Sequence, residues 1–193
     1  MDVQFTRQWL EASLFRLVGF NRRSAAIYQR LLSQRRCASC ARNYAAIAMR
    51  SRRYAEAETA LLKLLEWEPA DALGWHELGR ARLRLGLARP AAHALRHAVQ
   101  LNPELDDAWL DLGQAHLIAH EYAYAIAPLR RAHALAPLSP LPLYLIGLCQ
   151  HHCGNEAALR DMIARVAEID PQRADLLVAE TRPGAGRIER VLF

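Results

Sequence analysis

The 193 residues allow one domain or at most two, and with 52% of them apolar the chain can bury a continuous core. Nine Gly and nine Pro exclude a collagen-like or low-complexity chain. The net charge of +5 is local: residues 1–53 carry eleven Arg against Asp2 and Glu11 (+9), while residues 54–193 carry fourteen Lys and Arg against eighteen Asp and Glu (−4).

The N-terminal stretch MDVQFTRQWLEASLFRL has no uninterrupted apolar region and no small-residue cleavage site, so no signal peptide is expected. No apolar run approaches the roughly 20 residues of a membrane span. The four Cys (37, 40, 149 and 153) suit a reducing compartment or a metal site better than a disulfide framework, which makes the cytoplasm the expected location.

From the first helix onward a 34-residue frame organises the chain. Pro69, Pro103, Pro137 and Pro171 share it, as do Trp75 and Trp109, the glycines 79, 113 and 147, and Leu61, Leu95, Leu129 and Ile163. The frame divides the chain into units 4–37, 38–71, 72–105, 106–139 and 140–173 within a single domain 1–182. Unit 4–37 is degenerate. Leu10, Leu14, Phe20, Ile27 and Leu31 are in frame, but Glu11 and Arg23 occupy positions that are small or apolar later, and no proline closes it. Each following unit reads as two helices, about 72–85 and 88–101 in the clearest, joined near Gly86 and closed by a proline that has no N–H to continue the helix. Pro128 falls inside a second helix, where a lost hydrogen bond and a kink are expected. Glu156 replaces the aromatic residue of earlier units (Phe20, Tyr54, Tyr122), so looser packing is expected in the last one. A short capping helix is expected at 174–182 and a flexible tail at 183–193. The tail ends Arg-Val-Leu-Phe, an apolar arm suited to self-association.

Units 72–105 and 106–139 contain W-H-E-L-G-R-A-R-L…A-A-H-A-L…L-N-P and W-L-D-L-G-Q-A-H-L…A-I-A-P-L…L-A-P. Both resemble the tetratricopeptide (TPR) consensus W-x2-L-G-x2-Y…A-x3-F…A…P, and the resemblance extends over about 170 residues at that repeat length. It implies an all-α, right-handed α-solenoid of about five antiparallel helix pairs with a C-terminal capping helix, each pair leaning on its neighbours.

Signatures of catalysis are missing from the sequence: no G-x-x-x-x-G-K-[ST], no H-E-x-x-H and no G-x-S-x-G occurs, so no enzyme and no cofactor is expected. Cys37-x-x-Cys40 and Cys149-x-x-x-Cys153 cannot share a zinc ion in a regular solenoid. They lie three units apart, roughly 25–30 Å at the usual spacing of packed helices. Cys149 takes the small buried position of Ala81 and Ala115, a core thiol in preference to a ligand. A redox role for Cys37 and Cys40 lacks the βαβ pattern that usually surrounds such a pair. The pairs His93/His97 and His116/His120 have ligand spacing but no third ligand nearby, so no metal is expected.

In proteins of the family it resembles, the first helices of successive repeats line a concave surface that holds peptides or partner helices. The matching positions here are Arg42, Met49, Arg50, His76, Arg80, Leu83, Arg84, Leu110, Gln114, Leu117, Tyr144 and Leu148. They run from basic to apolar, so the expected partner is a protein segment acidic at one end and apolar at the other, with the arginine forks meeting carboxylates. The carboxylate clamp of some relatives is not matched, because Glu77 and Asp111 stand where it needs cations or amides. The expected function is a non-enzymatic interaction scaffold or adaptor, in the manner of bacterial TPR adaptors. A small TPR chaperone for a secretion or assembly substrate is the alternative. The Arg-rich N-terminal third could attract nucleic acid or another anionic surface, although no aromatic series or base-reading motif accompanies it.

Overall fold

A computed structural model describes residues 3–182. Among these residues the chain is all-α, with eleven helices and no strand. They fall into two compact units divided after Leu101. The first contains α1 (Val3–Leu17), α2 (Asn21–Gln34), α3 (Ala38–Arg50), α4 (Tyr54–Trp67), α5 (Ala72–Arg84) and α6 (Ala88–Leu101). The second contains α7 (Asp106–Ile118), α8 (Tyr122–Leu135), α9 (Pro140–His152), α10 (Glu156–Ile169) and α11 (Pro171–Glu180). The tail 183–193, and with it the self-association expected of it, lies outside the described residues.

Consecutive helices pair as hairpins, and the sequence dictates how each hairpin turns. Arg52, Gly86, His120 and Gly154 all have positive φ, between 57° and 75°, and they are 34 residues apart. In each turn the next N–H reaches back five residues: Arg53 to the Ala48 carbonyl, Leu87 to Arg82, Glu121 to His116 and Asn155 to Gln150, at 2.8–2.9 Å. A left-handed residue followed by this long bond is the Schellman ending of a helix, and it satisfies carbonyls that would otherwise be left over. The first hairpin uses the same device one residue out of frame, with Gly19 at φ 88° and Phe20 N–H bonded to the Phe15 carbonyl.

Small residues set the approach of the two helices within a hairpin. A Cβ added at Gly79 would lie 2.4 Å from Leu95 Cγ, and one at Gly113 would lie 2.4 Å from Leu129 Cγ. Each glycine thus leaves the hole that a framed leucine fills, and both leucines are fully buried. The tryptophans of the frame tie a first helix to the turn that precedes it. Trp75 Nε1 donates to the Pro69 carbonyl and Trp109 Nε1 to the Pro103 carbonyl, each at 2.9 Å.

Pro128 falls inside the second helix of its hairpin, as its place in the sequence implies: α8 runs from Tyr122 to Leu135 with Pro128 buried in it. One expectation changes form. Glu156 is not a poor substitute for a core aromatic residue. It is exposed in the first turn of α10, where a carboxylate suits the helix dipole, and Asn155 caps that turn by accepting from Ala158 N–H at 3.2 Å. At the C-terminal end, Asp170 ends α10 and caps α11 by accepting from Arg173 N–H at 3.0 Å, and Pro171 opens α11 at a position that needs no N–H.

Candidate partner-binding surface

In the first unit α3 and α5 stand side by side over α4 and leave a cleft of about 590 Å3. Its floor is apolar, formed by Ala45, Leu61 and Leu64, with Met49, Tyr54 and Leu73 on the walls. Arg42, Arg50, Arg80 and Arg84 line it from the two first helices, and all four are exposed.

The arginines are not equivalent. Arg42 Nη2 donates to Glu68 Oε2 at 2.9 Å and to Asp71 Oδ2 at 2.8 Å, so it ties α3 to the turn between α4 and α5. Arg80 pairs with Glu77 at 3.0 Å along its own helix. Arg50 and Arg84 have no hydrogen-bond or ion-pair partner among the described residues, and their guanidinium groups face solvent at the cleft. An unpaired guanidinium can donate two parallel hydrogen bonds to a carboxylate.

The structure separates the sequence-expected positions. Arg42, Met49, Arg50, Arg80 and Arg84 share this cleft, whereas His76 and Leu83 are buried and do not line it. Sequence reasoning missed the α4 contribution, because Leu61, Leu64 and Tyr54 read as core residues of a second helix. Leu61 and Leu64 are core residues that line the cleft from beneath, where small Ala45, Ala46 and Gly74 leave room between α3 and α5, and Tyr54 is half-buried beside them.

The second unit corrects the apolar half of the expected groove. Leu110 and Gln114 are half-buried, but Leu117, Tyr144 and Leu148 are 3%, 1% and 1% exposed and belong to one buried cluster with Leu177 of α11. The reason is α11. The Tyr144 hydroxyl donates to Glu180 Oε2, the Arg173 guanidinium lies 5.8 Å from the Tyr144 ring centre, and Leu177 Cδ2 sits 2.6 Å from the place a Cβ of Gly147 would take. Burial, then the hydrogen bond to Glu180 and its charge, raise the Tyr144 hydroxyl well above its ordinary value. These side chains are interior packing and present no apolar surface to a partner.

The cysteine and histidine candidates have other contacts. Burial, with Cys153 adding to it, pushes the Cys149 thiol up to about 12, which suits an inert core thiol. His97 stacks on Trp75 at 4.7 Å and touches His93 edge-on, while His152 stacks on Tyr122 at 4.3 Å. His116 Nδ1 is 2.8 Å from Glu121 Oε2, and His120 Nδ1 is 2.9 Å from the Tyr122 hydroxyl. Among the described residues no three His, Cys, Asp or Glu side chains come together as a metal site. Cys37 and Cys40, by contrast, are joined by a disulfide. This departs from the expectation that the cysteines suit a reducing compartment or a metal site better than disulfides: C-x-x-C spacing at a helix start brings the Cα atoms to 5.2 Å, within bridging range.

Repeated helix hairpins, Schellman turns in a fixed frame and a first-helix cleft define a helical repeat scaffold. Comparison with solved structures shows that the fold is the tetratricopeptide-repeat fold. MamA aligns with a TM-score of 0.84 at 19% identity, over 91% of this chain and 96% of that one. YrrB, described as a TPR protein with an unusual peptide-binding site, aligns with a TM-score of 0.79 at 20% identity, over 86% of this chain and 87% of that one. TTC0263, a thermophilic TPR protein from Thermus thermophilus, aligns with a TM-score of 0.57 at 18% identity, over 90% and 95% of the two chains. By sequence, 109 residues are 33% identical to the human protein O-mannosyl-transferase TMTC1, a match that takes in 54% of this chain but spans only 12% of that protein. No protein-family model matches the chain. No helix among the described residues is long and apolar enough to cross a membrane.

Proposed function

We propose that the protein is a non-enzymatic interaction scaffold whose first unit captures an acidic protein segment in the cleft between α3 and α5. The observation that carries this reading is the pair Arg50 and Arg84, solvent-facing and without partners among the described residues, at the edge of an apolar-floored cleft of about 590 Å3. A TPR fold supports a scaffold in general, and YrrB is a TPR protein described as having a peptide-binding site. The burial of Leu117, Tyr144 and Leu148 narrows the partner: instead of a long apolar end, it needs acidic residues flanking one apolar side chain that reaches Met49 and Leu61.

Fluorescence anisotropy with labelled synthetic peptides tests this. A Glu- and Asp-rich peptide with a central Leu should bind, and binding should weaken about tenfold, or about 1.4 kcal/mol, in Arg50→Glu/Arg84→Glu. A basic peptide of the same length should not bind. Equal affinity of the wild type and the double variant for the acidic peptide would place binding elsewhere.

A further inference from the structure

The bridge at Cys37 and Cys40 lies outside the cleft lining, and the proposed function makes no use of it. Cys37 is the N-cap of α3, with extended backbone, and Cys40 is in the helix's first turn. The Cys37 sulfur accepts the Cys40 backbone N–H at 3.2 Å, and the Ser39 hydroxyl lies 3.4 Å away. The two sulfurs differ in access: Cys37 is partly exposed, whereas Cys40 is 0% exposed within the core of the first unit. Arg35 and Arg36 directly precede Cys37, in the part of the chain that carries eleven Arg against two acids. A helix N-terminus and a backbone N–H both favour negative charge on a sulfur held at this place.

We infer that Cys37 and Cys40 form a thiol–disulfide exchange site whose substrate is a low-molecular-weight disulfide of the glutathione type. The asymmetry of access assigns the roles. In the reduced protein, the Cys37 thiolate attacks one sulfur of the disulfide, forming a Cys37 mixed disulfide and expelling one thiolate, which takes a proton from water. Cys40 gives its proton to solvent and attacks the Cys37 sulfur, closing the Cys37–Cys40 bond and expelling the second thiolate, which is protonated in turn. The pair loses two electrons, the small disulfide gains them, and two small-molecule thiols leave. Reduction of the bridge runs the same steps backwards, entering at the accessible Cys37.

The test uses the full chain with Cys149→Ala and Cys153→Ser, so that only this pair can react. Alanine is the natural residue at the framed positions 81 and 115, so the first change is compatible with the packing around Cys149. The folded protein is equilibrated in buffers of reduced and oxidised glutathione, quenched by alkylation and mapped by peptide mass. The two thiols should disappear together as the oxidised fraction rises and return together in excess reduced glutathione. With Cys40→Ser added, a glutathione adduct should accumulate on Cys37. With Cys37→Ser instead, Cys40 should remain unmodified. Far-ultraviolet circular dichroism establishes that each variant is helical. Two thiols that stay reduced throughout, or an adduct on Cys37 that never resolves into the bridge in the intact pair, would overturn the assignment. Equal labelling of the two single-cysteine variants would overturn the order of attack.

Discussion

The two units put some of the same repeat positions to different use. In the first, the α3 and α5 positions that face the cleft are Ala46 and Arg80, with Arg50 and Arg84 a turn further on, and all are exposed. The equivalent positions of the second are Gln114 and Leu148, with Ile118 and His152 a turn further on. Leu148 is buried and Gln114 half-buried, in the unit where α11 lies against α9. One frame therefore yields a wet, basic cleft where the residues are Arg, and interior packing where they are Leu and Tyr with an extra helix to cover them. A repeat position fixes where a side chain starts from, while the neighbouring helix decides whether it becomes surface or core.

The largest effect expected on that contrast comes from removing the cover. Leu177→Ala deletes a fully buried side chain lodged against Gly147, and should cost about 2–5 kcal/mol. Urea unfolding followed by helix content should show the second unit melting early, with acidic-peptide binding by the first retained. Overfilling the hairpin should be next. Gly79→Ala puts a methyl 2.4 Å from Leu95 Cγ in the unit that holds the cleft, and should cost about 1–3 kcal/mol in the same assay.

Smaller effects probe how α11 is held. Tyr144→Phe removes the hydroxyl bonded to Glu180 and should cost about 1 kcal/mol at neutral pH. Its pH dependence has a definite sign. The folded state holds this hydroxyl protonated above its ordinary value of 10.0, so its contribution is complete below pH 10 and is lost as the pH rises beyond it. Thermal melts above pH 10 should therefore fall more steeply in the wild type than in Tyr144→Phe. The smallest effect is at a turn of the first unit. Arg52 holds a left-handed conformation that Gly adopts freely at the framed position 86, so Arg52→Gly should raise stability by about 0.5–1 kcal/mol net of the added chain entropy.

Much of this is legible in the sequence. Proline, tryptophan and glycine at a 34-residue interval announce the hairpins, because each has a local task that survives in any neighbourhood: Pro103 offers its carbonyl to Trp109, Gly113 makes room for Leu129, and Gly86 turns the chain. The cleft arginines are legible for the same reason, since a charged side chain on a first helix has few places to go. Tyr144 reads as exposed in the sequence because its fate depends on α11, whose docking through Glu180 and Arg173 has no repeat signature. The left-handed turns at Arg52 and His120 are hidden because neither is Gly, although both follow the frame. The Cys37–Cys40 bridge has no surrounding βαβ pattern to announce it. Its geometry needs only the first turn of one helix.

The most direct measurement is amide chemical-shift mapping of the 15N-labelled protein titrated with the acidic, Leu-centred peptide. The account predicts shifts confined to α3, α5 and the part of α4 that lines the cleft, led by residues beside Arg50 and Arg84, and their loss in Arg50→Glu/Arg84→Glu. Shifts centred on α7 and α9, or saturable binding that leaves α3 and α5 unmoved, would contradict it.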